Sequence, residues 1–289
     1  MELHPLHTQH ERGFEANKFV YPVLSRRSKG ISLGVNLNPD KRCNFDCIYC
    51  QVDRRSESET RFVETERYFT ELDAMLDLAS TGRLFETAKF RETPPHLRRI
   101  NDIAFSGDGE PTTYKNFDTL IERSAEIKQA HHLHDVKMVL ITNASMFHRT
   151  HVQRGLEILD ANQGEIWAKL DAGTEAYYHT IERTKIPFSQ ILDNLLVASQ
   201  VRPIVIQSMF LRLGGDGPDE TEIAAYCDRL SEITAAGGKI RLVQVYTVAR
   251  RPAESIVSSL SDAEVDNIAA EVRRRTGLTA EVYYGNSEY

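Results

Sequence analysis

The chain of 289 residues is 41% hydrophobic and 27% charged, which excludes the disordered and collagen-like classes and predicts an ordinary folded protein. Its formal net charge of -7 excludes a protein that binds nucleic acid over its whole surface, but not one with a local basic patch. No apolar core follows a basic segment near the start of the sequence, and no stretch of about 18 apolar residues occurs in it. We therefore expect a cytoplasmic protein that does not span a membrane.

Strand-like and helix-like segments alternate from residue 31 almost to the end of the chain. The first strand, "GISLGVNL", stops at the turn-forming sequence Asn38-Pro39-Asp40. Residues 83–100 include Pro94-Pro95 and predict an irregular connection. Strands are predicted at 30–37, 102–107, 136–145, 165–173, 204–213, 239–248 and 278–285, and helices at 65–80, 116–130, 151–160, 188–200, 219–233 and 262–277.

Six of these strands alternate with helices, which predicts an α/β fold of parallel strands, either a doubly wound sheet or a barrel. In both architectures the active site lies beyond the carboxyl ends of the strands. Unusual or polar residues follow those ends here: the cysteines, then "SGDGEPT", Asn143, Asp171, Gln207 with Ser208, and Gln244 with Tyr246. The sequence therefore predicts a functional site at that rim.

Three of the four cysteines, Cys43, Cys47 and Cys50, lie within eight positions of the segment "KRCNFDCIYCQVD". Their spacing would also suit packing on one helix face, although the segment directly follows a turn. A structural zinc site takes four ligands, and no fourth cysteine or histidine follows closely. A disulfide is disfavoured in a reducing compartment. Soft thiolates favour an iron-sulfur cluster, while core packing and zinc remain as alternatives.

The spacing Cys-x3-Cys-x2-Cys, with Tyr49 before the last cysteine, resembles the signature of the radical S-adenosylmethionine (SAM) superfamily. The resemblance implies a partial (βα)6 barrel of parallel strands at 30–250, with short extensions at 1–29 and 251–289. It also implies that the three thiolates hold a 4Fe-4S cluster whose open iron is chelated by SAM. Such enzymes cleave SAM reductively to a 5'-deoxyadenosyl radical, which abstracts hydrogen from a substrate that this sequence does not identify.

The same resemblance implies a set of residues that contact the cofactor. "SGDGEP" is similar to the family's Gly-Gly-Glu motif, which holds the methionine amino group, although Asp108 stands where the first glycine is usual. Lys169 would pair with the methionine carboxylate, and Asp171 would accept from the ribose hydroxyls. The full set of implied cofactor residues is Tyr49, Gly107, Asp108, Gly109, Glu110, Asn143, Lys169, Asp171, Gln207, Ser208, Val245 and Tyr246.

Within the superfamily, "GVNLNPDKRCNFDCIYC", "SGDGEPT" and residues 243–254 resemble the iron-sulfur oxidoreductases that include the wyosine-forming tRNA enzymes. Those enzymes carry a second cluster on further N-terminal cysteines. Here no cysteine precedes Cys43 and only Cys227 follows Cys50, so we expect no second cluster.

The expected partners are SAM, an external one-electron reductant such as flavodoxin or ferredoxin, and an unidentified substrate. Basic residues flank the cysteines and follow the last barrel strand, and they suit an RNA or a phosphate-bearing small molecule; they include Lys41, Arg42, Arg54, Arg55, Arg250 and Arg251. The alternative is a non-catalytic iron-sulfur or zinc protein that serves in electron transfer or regulation.

Overall fold

In a computed structural model, residues 14, 16–54, 56–58 and 60–285 are described. The chain divides into two compact units. The first comprises Met1–Cys43, Ser56–Ile141 and Arg149–Glu165, and the second comprises Asn44–Arg55, Thr142–His148 and Ile166–Tyr289. No helix in the described part of the chain has the length and apolarity needed to cross a membrane.

The first unit is built on strands β1 (Val20–Ser25), β2 (Gly30–Asn36), β3 (Ile100–Ser106) and β4 (Lys137–Thr142). Strand β1 is antiparallel to β2, whereas β2, β3 and β4 are parallel neighbours. The helices are α1 (Thr65–Ser80), α2 (Phe117–Ala130) and α3 (Thr150–Asp160). Every residue of β2 is buried, as expected for a parallel strand with both faces covered.

The sequence did not predict β1, which contains Pro22. Proline has no amide hydrogen to donate, so it is confined to edge strands or strand ends. Strand β1 satisfies that rule because it lies at the end of the strand order and pairs with β2 alone. It falls inside the predicted N-terminal extension. The predicted domain boundaries after residues 29 and 250 stay predictions.

The second unit contains all but the first two residues of β5 (Gly164–Lys169). It also contains β6 (Ile204–Met209), β7 (Arg212–Leu213), β8 (Ile240–Tyr246), β9 (Val257–Ser258) and β10 (Ala280–Tyr283). Strands β5, β6, β8 and β10 are parallel neighbours in that order, and β7 pairs with β9 in an antiparallel ladder. The helices are α4 (Glu175–Glu182), α5 (Phe188–Val201), α6 (Glu220–Ala235) and α7 (Asp262–Thr276). The predicted alternation of parallel strands with helices is confirmed.

Helix α4 is a structural feature that the sequence patterns missed. It has eight residues, and its N-cap Thr174 accepts a hydrogen bond from the backbone amide of Tyr177. A helix this short is marginal by itself in water, so packing in the folded protein has to stabilise it. Its C-terminal end contributes directly to the candidate site.

Candidate functional site

In the first unit, the glycine loop, residues 107–110, packs closely against the chain that leaves β2. Gly107 has a φ of 151°, and a Cβ atom there would lie 2.3 Å from Asn36 Oδ1. A Cβ atom on Gly109 would lie 2.0 Å from the carbonyl oxygen of Arg42. Both contacts are far shorter than real Cβ contacts, so glycine is required at both positions.

Asp108 is held by Asn36, the last residue of β2. Asn36 Nδ2 donates to Asp108 Oδ2 at 2.7 Å, and Asn36 Oδ1 accepts from the Asp108 amide at 3.1 Å. The same oxygen accepts from the Asn38 amide at 3.0 Å. Asp108, which stands where the resemblance implies a glycine, therefore has a protein partner, and Asn36 is a contact of this loop that the motif did not identify.

Glu110 is 2% exposed and caps the short 3-10 turn Pro111–Thr113. Its Oε1 atom accepts from the amide of Thr112 at 3.1 Å. Nearby, Asn38 Nδ2 donates to Thr113 Oγ1 at 3.2 Å, whereas Asn38 Oδ1 is buried and has no hydrogen-bond partner among the described residues. A buried acceptor without a donor costs free energy. The loop after β2 therefore has, in Asn38 Oδ1, an unsatisfied acceptor of the kind that a ligand site leaves.

The cysteine segment, residues 43–50, has no helical structure, which removes the alternative of three cysteines on one helix face. Cys43 belongs to the first unit, and Cys47 and Cys50 belong to the second. All three are partly exposed, and none forms a disulfide with another described cysteine. Three thiols on one short irregular segment fit the soft donors that an iron-sulfur cluster requires.

In the second unit, the C-terminal end of α4 holds the cysteine segment. The amide of Asp46 donates to the carbonyl of Glu182 at 3.1 Å, and the amide of Ile48 donates to the carbonyl of Ile181 at 2.9 Å. The last carbonyls of a helix have no partner within it, so they are available to such donors. Arg183 ends the helix with a φ of 45°.

Glu182 also contacts the central cysteine. Cys47 Sγ lies 2.6 Å from Glu182 Oε2, and Glu182 is only 3% exposed. Burial, followed by the charge of Asp171, raises the pKa of the Glu182 carboxyl, and burial, followed by Glu182, raises the pKa of the Cys47 thiol. In the described residues no group of three or more His, Cys, Asp or Glu side chains is arranged around a metal position. If Cys47 is a metal ligand, as predicted, its thiol has to give up this contact with Glu182.

Tyr49 belongs to a second group of contacts, the Lys169 cluster, formed by Tyr49, Lys169, Asp171 and Tyr246. The Tyr49 hydroxyl donates to Asp171 Oδ2, and Lys169 Nζ lies 2.9 Å from the same oxygen and 2.8 Å from the Tyr246 hydroxyl. Lys169 Nζ also lies 4.8 Å from the ring centre of Tyr49 and 5.4 Å from that of Tyr246. Burial lowers the pKa of Lys169 more than any other single cause, but Asp171, Tyr246 and Glu182 together outweigh it and raise the pKa of the lysine.

Within this cluster the two charged groups differ in exposure. The Lys169 side chain is 19% exposed and the Asp171 side chain is 0% exposed. Asp171 Oδ1 accepts from the amide of Met209 at 2.7 Å, so both of its oxygens have partners. Direct contact of Asp171 with a ribose stays a prediction, and it would require one of these bonds to be exchanged.

The other predicted cofactor residues of the second unit lie on two opposite faces of the sheet, because side chains alternate along a strand. Gln207 Nε2 donates to Gln244 Oε1 at 2.7 Å, on the face of the sheet that also carries Lys169. Ser208 lies on the opposite face, where its hydroxyl is 2.5 Å from the hydroxyl of Tyr226 in α6. Val245 is aligned with Ser208, so it shares that face and is fully buried. If the cofactor lies on the face that carries Lys169, these two residues are expected to contact it through their backbone.

Asn143, at the end of β4, is placed by contacts within the second unit. Its Nδ2 atom donates to Asn44 Oδ1 at 2.9 Å, and its Oδ1 atom accepts from the amide of Ser145 at 3.1 Å. Ala144 follows with a φ of 60°, an uncommon conformation for a residue other than glycine. Such conformations concentrate at functional sites, which agrees with a site at this strand end.

Comparison with known proteins identifies the family to which the chain belongs. The Radical SAM superfamily pattern matches residues 37–230, more than half of the chain. The chain belongs to the radical SAM superfamily. Enzymes of this superfamily use a 4Fe-4S cluster and SAM, so the cofactor prediction is confirmed at the level of the family. Membership supports an enzyme, with the particular activity not specified.

Two curated relatives are similar over much of the chain. A protein named GTPase Obg from Brachyspira hyodysenteriae is 27% identical over 251 residues, which cover 85% of this chain and 32% of that protein. A UPF0026 protein from Helicobacter pylori strain J99 is 28% identical over 220 residues, which cover 74% of this chain and 62% of that protein. The chain thus spans less than two thirds of the length of these relatives.

Solved structures show the same fold at low sequence identity. A radical SAM methyltransferase from Sphaerobacter thermophilus superposes with a TM-score of 0.61 at 12% identity, covering 91% of this chain and 68% of that one. TYW1 with a lysine-pyruvate adduct bound gives a TM-score of 0.52 at 17% identity, covering 86% of this chain and 74% of that one. These similarities confirm the predicted α/β fold class, the partial barrel of parallel strands.

Proposed function

We propose that this protein is a radical SAM enzyme in which Cys43, Cys47 and Cys50 bind one 4Fe-4S cluster. When bound, the cluster would supply one electron, received from an external reductant such as flavodoxin or ferredoxin, for cleavage of SAM to methionine and a 5'-deoxyadenosyl radical that would become 5'-deoxyadenosine by taking hydrogen from the substrate. The observation that carries the proposal is the bond from Tyr49, inside the cysteine motif, to Asp171, the partner of Lys169.

The residues of each unit have separate proposed roles. In the first unit, the backbone of Gly107 and Gly109 and the carboxylate of Glu110 receive the methionine ammonium group. In the second unit, Lys169 pairs with the methionine carboxylate, because it is the charged member of its cluster that keeps some exposure. Asp171 orients Lys169 and Tyr49. The backbone of Asp108 belongs to the same proposed site for the methionine ammonium group. The remaining proposed ribose and adenine contacts are Asn143, Gln207, Tyr246, and the backbone of Ser208 and Val245.

For the substrate we propose an RNA or a small molecule that carries phosphate. The Arg42 side chain is 89% exposed, and Arg251 is also exposed. Arg54 is a poorer candidate for substrate contact, because it donates to the carbonyl of Phe45 at 3.0 Å and lies 3.2 Å from Asp46. Arg55 lies outside the described residues. Exposed arginines attract phosphate groups, and this attraction weakens as salt rises.

The deciding experiment is anaerobic reconstitution with iron and sulfide, followed by absorption and electron paramagnetic resonance spectra and an assay for 5'-deoxyadenosine. We expect a 4Fe-4S spectrum and SAM-dependent formation of 5'-deoxyadenosine after addition of a one-electron reductant. A cluster without 5'-deoxyadenosine would favour an electron-transfer or regulatory protein instead. Stoichiometric zinc without a cluster would exclude both functions. The Cys47→Ala variant is the control for adventitious iron.

A further inference from the structure

Asn36 connects the two loops that leave β2 and β3. It is 5% exposed at the last position of β2, opposite Ser106, the last position of β3. Its side-chain oxygen accepts both the amide of Asn38, at the start of one loop, and the amide of Asp108, in the other. One buried amide group therefore fixes the start of the chain toward Cys43 relative to the glycine loop.

In the hydrogen bond between the side chains of Asn36 and Asp108, Asn36 is the donor and Asp108 is the acceptor. Asn36 has to present its nitrogen to Asp108 Oδ2, because its oxygen is already occupied by two backbone amides. A carboxylate is an acceptor only, so the donor that position 36 presents suits an acid at position 108. A glycine at position 108 would not need such a partner. Asn36 is thus chemically matched to the departure from the family's usual glycine.

The glycine loop has little freedom to move while this pairing holds. A Cβ atom would lie 2.3 Å from Asn36 at position 107 and 2.0 Å from Arg42 at position 109. The backbone of the glycine loop therefore lies directly against these two residues. Asn36 Oδ1 also accepts the backbone amide of Asp108, so a shift of the Asn36 side chain would move the backbone groups that are proposed to receive the ligand. We propose that Asn36 is a positioning residue for SAM, acting through Asp108 to hold the glycine loop. This inference rests on the proposed function of that loop.

The test is a reciprocal exchange. In Asn36→Asp, two carboxylates face each other and the donor is lost, so SAM affinity should fall about tenfold or more. In the Asn36→Asp/Asp108→Asn double variant, the new amide at 108 can donate to the new carboxylate at 36. The SAM affinity of this double variant should therefore differ by less than about threefold from that of the Asp108→Asn single variant. The measurement is titration of SAM into the anaerobically reconstituted protein.

A second readout does not depend on SAM. Hydrogen exchange of residues 107–110 in the SAM-free protein should be faster in Asn36→Asp and should return toward its original rate in the double variant. If the wild-type protein does not bind SAM, the proposed function fails, and this exchange comparison still decides whether Asn36 holds the loop. Equal exchange rates in all the proteins would overturn the inference.

Ser32→Ala provides the matched control for a loss of stability. Ser32 is buried on the same strand and donates to Asp102, away from the carboxyl end of β2. This variant should lower the melting temperature while leaving SAM affinity unchanged. If Ser32→Ala weakens SAM binding as much as Asn36→Asp does, the effect is general destabilisation and Asn36 has no positioning role. An additive loss of affinity in the double variant would lead to the same conclusion.

Discussion

The Tyr49 hydroxyl donates a hydrogen bond to the carboxylate of Asp171, 122 residues away along the chain. Tyr49 is the aromatic residue of the cysteine motif, and Asp171 follows strand β5. Lys169 Nζ lies over the rings of both Tyr49 and Tyr246 and pairs with the same carboxylate oxygen. The motif aromatic therefore belongs to a charged network, not only to the packing of the loop.

The first prediction concerns this network. Asp171→Ala would leave the Lys169 charge without its partner, and removing one member of a buried pair costs about 3–5 kcal/mol. Because Lys169 is 19% exposed, we expect a loss of unfolding free energy near the lower end of that range. The double variant Lys169→Met/Asp171→Ala should recover part of it. Urea denaturation measures the coupling, and purely additive losses would show that the pair contributes little.

The second prediction is that Cys47 is needed for the cluster and Cys227 is not. Cys47→Ala should lose the 4Fe-4S cluster, whereas Cys227→Ala should retain full iron, because Cys227 is 1% exposed inside α6. Iron and sulfide content after anaerobic reconstitution gives the comparison. Full iron in a variant that lacks Cys43, Cys47 and Cys50 together would refute the cluster assignment.

The third prediction assigns Glu110 to SAM binding and not to the cluster. Glu110→Gln retains an oxygen that can cap the turn at Thr112 but removes the charge. A hydrogen bond to a charged group contributes about 1.5–3 kcal/mol, so SAM affinity should fall about tenfold or more at unchanged iron content. Glu71→Gln is the matched control, since Glu71 is also a buried carboxylate and accepts from the amides of Phe19 and Val20. Equal effects on SAM affinity would remove Glu110 from the site.

The fourth prediction concerns stability and pH. Burial raises the pKa of Asp102 to about 6, against an ordinary value of 3.8, although the hydrogen bond from Ser32 opposes the shift. The folded state then binds this proton more tightly than the unfolded state does. The contribution is present below about pH 4 and is lost as the pH rises through about 6, amounting to at most about 3 kcal/mol.

Asp102→Asn removes this titration, so its unfolding free energy should vary less between pH 4 and pH 7 than that of the wild type. In Ser32→Ala the opposing hydrogen bond is gone, and the pH-dependent window should move upward. Denaturant unfolding at several pH values provides the measurement. The prediction fails if wild type and Asp102→Asn have the same pH dependence.

The fifth prediction tests the proposed phosphate-bearing substrate. Arg42→Glu and Arg251→Glu should each weaken RNA or nucleotide binding, with the loss larger at low salt than at high salt. Arg123→Glu is the control, because Arg123 is an exposed residue of helix α2 that pairs with Glu126. Binding measured at two salt concentrations should leave the control unchanged. If the first two reversals also have no effect, a neutral or peptide substrate becomes the better hypothesis.

Local patterns in the sequence determined much of the fold and the centre of the site. Periodicity located the parallel strands and most helices, because buried strands and amphipathic helices differ in the spacing of their apolar residues. The cysteine motif and the two glycines could also be recognised from the sequence. Each depends on residue type within a short segment, because only cysteine supplies thiolate donors and only glycine permits so close a backbone approach. The requirement for Gly107 and Gly109 is explained by contacts that admit no Cβ atom.

Tertiary structure alone decided which residues complete that site. Helix α4 is too short to give a periodic signal, so Glu182 and its contact with Cys47 could not be anticipated. Asn36 and Asp108 are 72 residues apart, and their pairing depends on the register of β2 with β3. Ser208 and Gln207 point to opposite faces of β6, and only the tertiary structure shows that the Ser208 face meets helix α6. Because β6 is buried on both faces, its sequence has no polar and apolar alternation that would distinguish one face from the other.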